Sequence, residues 1–224
     1  MKKKITRRSF INDYSKSILS ISIASYFTIP NNVNPLYANE TIYIDKEHNK
    51  SELTILNDRP INAETPPHLL DDLITPTKRH FVRNNGTIPN LSKEEIKNWS
   101  LSIEGNVQKT KNYSINDLKN KFEVVTKALQ LECGGNGRAF FKPPASGNQW
   151  SYGAISCSEW TGVKLADVIK ASGIKRSTIY TGHFGTDIHL SGDETISPLS
   201  RGVPINKALD ENNIIAFAMN GKNI

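Results

Sequence analysis

The chain has 224 residues, enough for one sizeable domain with an extension, and a formal net charge of +6. Residues 1–38 hold six lysines and arginines against Asp13 alone, which leaves 22 basic and 21 acidic residues elsewhere and a net of only +1. The body of the chain is therefore near neutral and offers no footprint for nucleic acid. Two cysteines, Cys133 and Cys157, are too few for a disulfide scaffold.

In chain order, Lys2-Lys3-Lys4 opens a charged segment. Thr6-Arg7-Arg8-Ser9-Phe10-Ile11 resembles the twin-arginine export consensus, and residues 18–27 form a short, serine-rich apolar run. That run is too short to span a bilayer, so 1–38 reads as a twin-arginine signal peptide without stable membrane insertion. Leu36-Tyr37-Ala38 is its cleavage candidate, and an uncleaved anchor is the alternative. Export of a folded protein by this route points to the periplasm and to a cofactor acquired before export. Residues 39–72 are rich in Asn, Asp and Pro and read as an extended polar arm without its own core. From residue 73 to 224 the pattern is that of a folded domain.

His80–Pro89 reads as a short strand entering a turn at Asn85-Gly86. Trp99, Leu101 and Ile103 alternate with polar residues, which predicts a half-buried strand over 99–104. Ser114 is placed to cap a helix over 115–121. Residues 124–133 return to strand, and period two puts Leu129, Leu131 and Cys133 on one inward face. Residues 134–149 are a loop rich in Gly, Pro, Asn and Ser. Leu165, Val168 and Ile169 mark a helix over 163–172, with Gly173 to terminate it. A strand over 177–184, a short helix from Pro204 to Leu209 and a buried strand over 214–219 follow. Asn220-Gly221 signals a hairpin, but the chain stops at Ile224 with no second strand, so a C-terminally incomplete domain is expected. Strands outnumber helices and the connections are irregular, so the fold class is α+β.

The chemistry concentrates in Leu131-Glu132-Cys133-Gly134-Gly135-Asn136-Gly137-Arg138. A soft metal ligand, a permissive loop and a fixed cation suit a metal beside an anion. This stretch resembles the cysteine motif of the sulfite oxidase family of molybdopterin enzymes. Three further stretches resemble that family in the same order. They are Ile74-Thr75-Pro76 with Phe81-Val82-Arg83-Asn84, then Trp150 with Gly153-Ala154-Ile155 and Glu159–Val163, then Ala216–Gly221.

The resemblance implies a sulfite oxidase-type molybdopterin-binding fold of mixed sheets and short helices, and Mo-molybdopterin as cofactor. Cys133 becomes the molybdenum thiolate; otherwise it is a small core residue. That role excludes a Cys133–Cys157 disulfide. Arg83 and Arg138 become an oxyanion clamp, against the ordinary alternative of surface ion pairs. Trp150 becomes a substrate-pocket wall or a packing residue. Phe81, Val82, Arg83, Asn84 and Asn85 become pterin contacts, with Asn85 standing where many family members have a histidine. Asp187 becomes a pterin acceptor or a turn residue.

The implied reaction is oxidation of sulfite to sulfate in the manner of the bacterial periplasmic dehydrogenases, with electrons leaving to an external cytochrome c-type acceptor. The alternatives are a reductase or oxidase of another small sulfur or oxygen anion, and an inactive exported fragment. A zinc site from Cys133, Cys157, His183 and His189 matches no compact zinc spacing. In the family, further site residues and an immunoglobulin-like dimerisation domain lie beyond the point where this chain stops, so a homodimer is expected of the longer parent.

Overall fold

The computed structural model describes residues 52–89 and 91–224. The expected signal peptide, and the first part of the expected arm up to Ser51, lie outside the described residues. The backbone of the fold is a four-stranded antiparallel sheet in the order β11 (Lys222–Asn223), β10 (Ile214–Met219), β7 (Ile155–Lys164), β6 (Val124–Glu132). Its long pair is β6 (Val124–Glu132) against β7 (Ile155–Lys164), in register from Val124 opposite Val163 to Glu132 opposite Ile155. β10 (Ile214–Met219) lies on the other side of β7, with a bulge between Ala216 and Ala218. β-Branched Val124, Val125, Ile155, Val163, Ile214 and Ile215 sit on these strands and suit a pleated surface.

The helices are short and locally specified. α1 (Lys93–Asn98) begins with a capping box between Ser92 and Glu95. α2 (Ile115–Lys121) begins with another, in which Ser114 accepts from Asp117 N–H and the Asp117 carboxylate accepts from Ser114. Each box satisfies two amides that a first turn leaves orphaned. α3 (Leu165–Ala171) buries Ala166, Val168 and Ile169 and ends at Gly173, whose φ of +69° suits a glycine. β4 (Ser100–Ile103) pairs with β5 (Lys111–Ser114) alongside α2. Tyr113, Leu118, Val163 and Val168 form the buried cluster where these elements meet, ringed by half-buried Trp99, Phe122, Ile215 and Phe217.

The polar stretch before residue 72 corrects the expected arm. β1 (Thr54–Asp58) and β2 (Ile61–Glu64) form a hairpin, and β2 also pairs with β3 (Val82–Arg83). Residues 61–65 are all buried. Composition hid this because Asn62, Glu64 and Thr65 are buried polar residues, held by hydrogen bonds rather than by apolar contact.

Two further expectations change. The face carrying Leu129 and Cys133 is the covered side of β6 as expected, but only half so: Val125, Lys127, Leu129 and Cys133 are half-buried while the alternate residues are exposed, and Leu131 near the strand's end is 45 % exposed. β6 is an edge strand, so period two found the covered face but not how shallow its cover is. The Asn220-Gly221 hairpin has a second strand after all, the two-residue β11 (Lys222–Asn223), and φ is positive at both turn residues. The remaining pieces are β8 (Tyr180–Phe184), β9 (Ser200–Pro204) and α4 (Ile205–Ala208). The expected strand over 177–184 and helix from Pro204 are thus present with trimmed ends. Among the described residues no helix is long and apolar enough to cross a membrane.

Candidate functional site

Cys133 follows the last residue of β6. Its N–H donates to Ala154 O at 2.9 Å, so one further backbone bond ties the end of β6 to the residue before β7. Its Sγ accepts from Gly135 N–H at 3.4 Å. The thiol is thus held at a strand end by its own backbone, with an amide turned towards the sulfur. Cys133 and Cys157 are both free, so no disulfide competes for that sulfur.

The loop after Cys133 is built around the Arg138 guanidinium. Its Nη1 donates to Asn148 O at 3.1 Å. A Cβ on Gly135 would come within 2.6 Å of Nη2, and one on Gly147 within 2.6 Å of Nη1. The two glycines thus form a slot that holds the guanidinium, and any side chain at either position would displace it. Gly134 and Gly137 face open space instead, with nothing within 4 Å of where a Cβ would stand. Gly137 has φ +81°, which only glycine adopts without strain.

The loop is stitched to residues 148–154. Gly137 N–H donates to Ser151 O at 2.7 Å and Ala139 N–H to Trp150 O at 3.0 Å. Asn136 accepts from Ala154 N–H at 3.1 Å while its amide donates to Glu132 and Tyr152 O. Asn136 is therefore a bracket for the loop.

The second expected segment meets this one through the same wall. Phe81 N–H donates to Ser156 Oγ at 3.2 Å, and its ring stands edge-on to Trp150 at 6.3 Å between centroids. Trp150 has no exposed surface. Its observed place is packing beneath Phe81, and it presents no accessible N–H to a pocket. Asn84 is spent on β2: its N–H donates to Asn62 Oδ1 at 2.8 Å and its amide to Ile61 O at 2.9 Å. Asn85 is half-buried beside buried Gly86, where a Cβ would meet Ile188 O at 2.7 Å. Thr87 N–H donates to Ile188 O at 3.1 Å, which brings Asp187 alongside this segment. Asp187 itself folds back over Gly185, the posture of a turn aspartate.

Arg83 is exposed at the end of β3 and donates to Asn84 O. Among the described residues neither Arg83 nor Arg138 pairs with a carboxylate, and no bond links the two directly. Arg79, four residues earlier in sequence than Arg83, is the contrast. It bonds Glu52 at 2.6 Å and Asp72 at 2.7 Å, and with Lys78 it holds the Glu52 carboxyl below its usual range.

Residues 85–224 match the family described as the oxidoreductase molybdopterin-binding domain. The chain belongs to that family. The NADPH nitrate reductase of Emericella nidulans is 31 % identical over 171 residues, covering 74 % of this chain and 19 % of that protein. Human mitochondrial sulfite oxidase is 29 % identical over 202 residues, covering 85 % of this chain and 35 % of that protein. The sulfane dehydrogenase SoxCD of Paracoccus pantotrophus superposes with a TM-score of 0.63 at 24 % identity, over 87 % of this chain and 51 % of that one. The last likeness shows the fold, an α+β assembly of several sheets and short helices as expected. The chain spans between a fifth and a third of the length of these curated relatives, and about half of the solved structure.

The residues present fit a molybdopterin. Among the described residues no three His, Cys, Asp or Glu side chains gather as metal ligands. Cys133 offers one soft sulfur, and the open side of Gly134 and Gly137 leaves room against it. Mo-molybdopterin, whose dithiolene supplies the remaining sulfur, meets that donor set.

Proposed function

We propose that this chain forms part of the active site of a periplasmic enzyme that oxidises sulfite to sulfate. The observation that carries the reading is the Cys133–Arg138 loop: a half-buried thiol and, five residues on, a slotted guanidinium with no carboxylate partner among the described residues. The net reaction takes sulfite and water to sulfate, two protons and two electrons, and the electrons pass singly to a cytochrome c-type acceptor. Molybdopterin supplies the two-electron redox centre and the oxygen-transfer chemistry.

The chain's own residues supply the rest. Cys133 anchors the metal as its one protein thiolate. Arg138 and Arg83 attract and orient the dianion, because a guanidinium keeps its charge at any working pH and meets two oxygens at once. Orientation and charge complementarity lower the barrier without any proton transfer by the arginines. Trp150 acts one layer back, by seating Phe81. Phe81, Val82, Asn85 and Asp187 line the pterin side, partly through backbone groups. Asn85 donates a hydrogen bond there and takes up no proton at neutral pH. The twin-arginine segment at the N-terminus supports export after folding.

Sulfite-dependent reduction of cytochrome c by the full-length parent protein is the expected activity. Cells grown on tungstate should yield protein without it; undiminished turnover would remove molybdenum from the account. The likeness to nitrate reductases supports a second reading, reduction of a small oxygen anion at the same site. Nitrate-dependent oxidation of reduced viologen, in a protein that ignores sulfite, would favour it.

A further inference from the structure

Glu64, the last residue of β2, is 6 % exposed. Among the described residues no cation pairs with it. Its Oε2 accepts from Ser151 N–H at 2.8 Å and from Gly153 N–H at 3.3 Å. Its Oε1 accepts from Ser151 Oγ at 2.7 Å. A buried carboxylate persists only where donors match its oxygens, and here all three come from one short segment.

That segment lies between Glu64 and the Cys133 loop. On one side, Thr65 N–H donates to Gly153 O at 3.1 Å, and a Cβ on Gly153 would stand 1.9 Å from Thr65 O, so the two backbones are in direct contact. On the other side, Ser151 O accepts from Gly137 N–H and Trp150 O from Ala139 N–H, the two amides that flank Arg138. Residues 150–153 have no regular ladder of their own to fix their height.

We propose that Glu64 is a positioning residue for the loop that carries Cys133 and Arg138. It pins Ser151 and Gly153 from beneath, and they in turn hold Gly137 and Ala139. Its importance for catalysis rests on the functional reading above; its hold on the loop does not. The role needs acceptors rather than charge. A glutamine can therefore stand in: its carbonyl accepts both N–H groups and its amide donates to Ser151 Oγ, which turns to accept.

The test is backbone-amide hydrogen exchange at Gly137 and Ala139 in the full chain, with residues 165–171 of α3 as the internal reference. Glu64→Met keeps the volume and removes every acceptor. It should speed exchange at Gly137 and Ala139 roughly tenfold or more and leave α3 unchanged, while Glu64→Gln stays within about twofold of the parent. Equal protection in Glu64→Met, or acceleration of the loop and α3 alike, would overturn the proposal. If Glu64→Met does not fold, Ser151→Ala removes the hydroxyl arm alone and should give a smaller loop-specific acceleration; none at all defeats the idea. Exchange is read without substrate, so this result and sulfite turnover stand or fall separately.

Discussion

The cluster beneath α2 and α3 and the loop after Cys133 are held in different ways. Around Tyr113, Leu118, Val163 and Val168, apolar side chains on regular elements bury one another, and each helix brings its own start and stop signals. Around Arg138 apolar burial is confined to Trp150 and Ala154 in the wall behind the loop. Phe140, Phe141 and Tyr152 are more than half exposed, and order comes from amides and carbonyls exchanged between residues 133–139 and 148–154. Apolar packing tolerates small shifts because it is non-directional. A hydrogen-bonded loop fixes a guanidinium closely but depends on each partner. The first region therefore sets stability and the second sets chemistry, and substitutions in each should move different observables.

The largest expected effect is on chemistry alone. Cys133→Ser exchanges a soft donor for a hard one, and should cost roughly a hundredfold or more in sulfite turnover with the far-UV spectrum unchanged. Metal analysis of the purified variant checks whether molybdenum is retained. Leu118→Ala should do the reverse. It leaves a cavity beneath α2 and should cost about 2–5 kcal/mol in urea unfolding, while Cys133 reacts with alkylating agents at the parent's rate. A faster-reacting Cys133 would mean that the two regions are coupled.

Arg138→Lys keeps the charge and loses the two-pronged contact. It should raise the sulfite KM roughly tenfold with a smaller change in kcat, since one bidentate ion contact is worth about 1.5–3 kcal/mol. A fall in kcat alone would contradict a binding role. Ser114→Ala removes the cap of α2 and should cost about 1 kcal/mol, read as a lower urea midpoint without loss of turnover.

The smallest effect is a pH dependence in the first region. Lys121, with Ser114, lowers the Asp117 carboxyl to about 2 from its usual 3.8. A depressed pKa means stabilisation that is complete above the ordinary value and fades as pH falls towards 2. The parent should therefore lose stability over that window more steeply than Asp117→Asn. Parallel acid transitions in the two proteins would show that the cap does not titrate with the fold.

The same contrast explains what was legible in advance. The capped helix over 115–121, the strand leading to Cys133 and the glycine ending α3 follow from local rules that need only neighbouring residues. The loop's chemistry was legible too, because cysteine, glycines and arginine stand within six positions. Glu64 was not: its partners are 87 and 89 residues away, and it sits in a stretch whose polarity resembled a solvated arm.

By itself the sequence determined the helices over 115–121 and 165–171, the strand leading to Cys133, the family and the candidate ligands, since periodicity, caps and motifs are short-range. Only the tertiary structure decided how deeply the inward face of β6 is covered, that Trp150 is buried beside Phe81, and which arginines have carboxylate partners. Those are questions of what lies opposite a side chain, and hydrogen bonds between residues far apart in the chain leave no periodic trace in it.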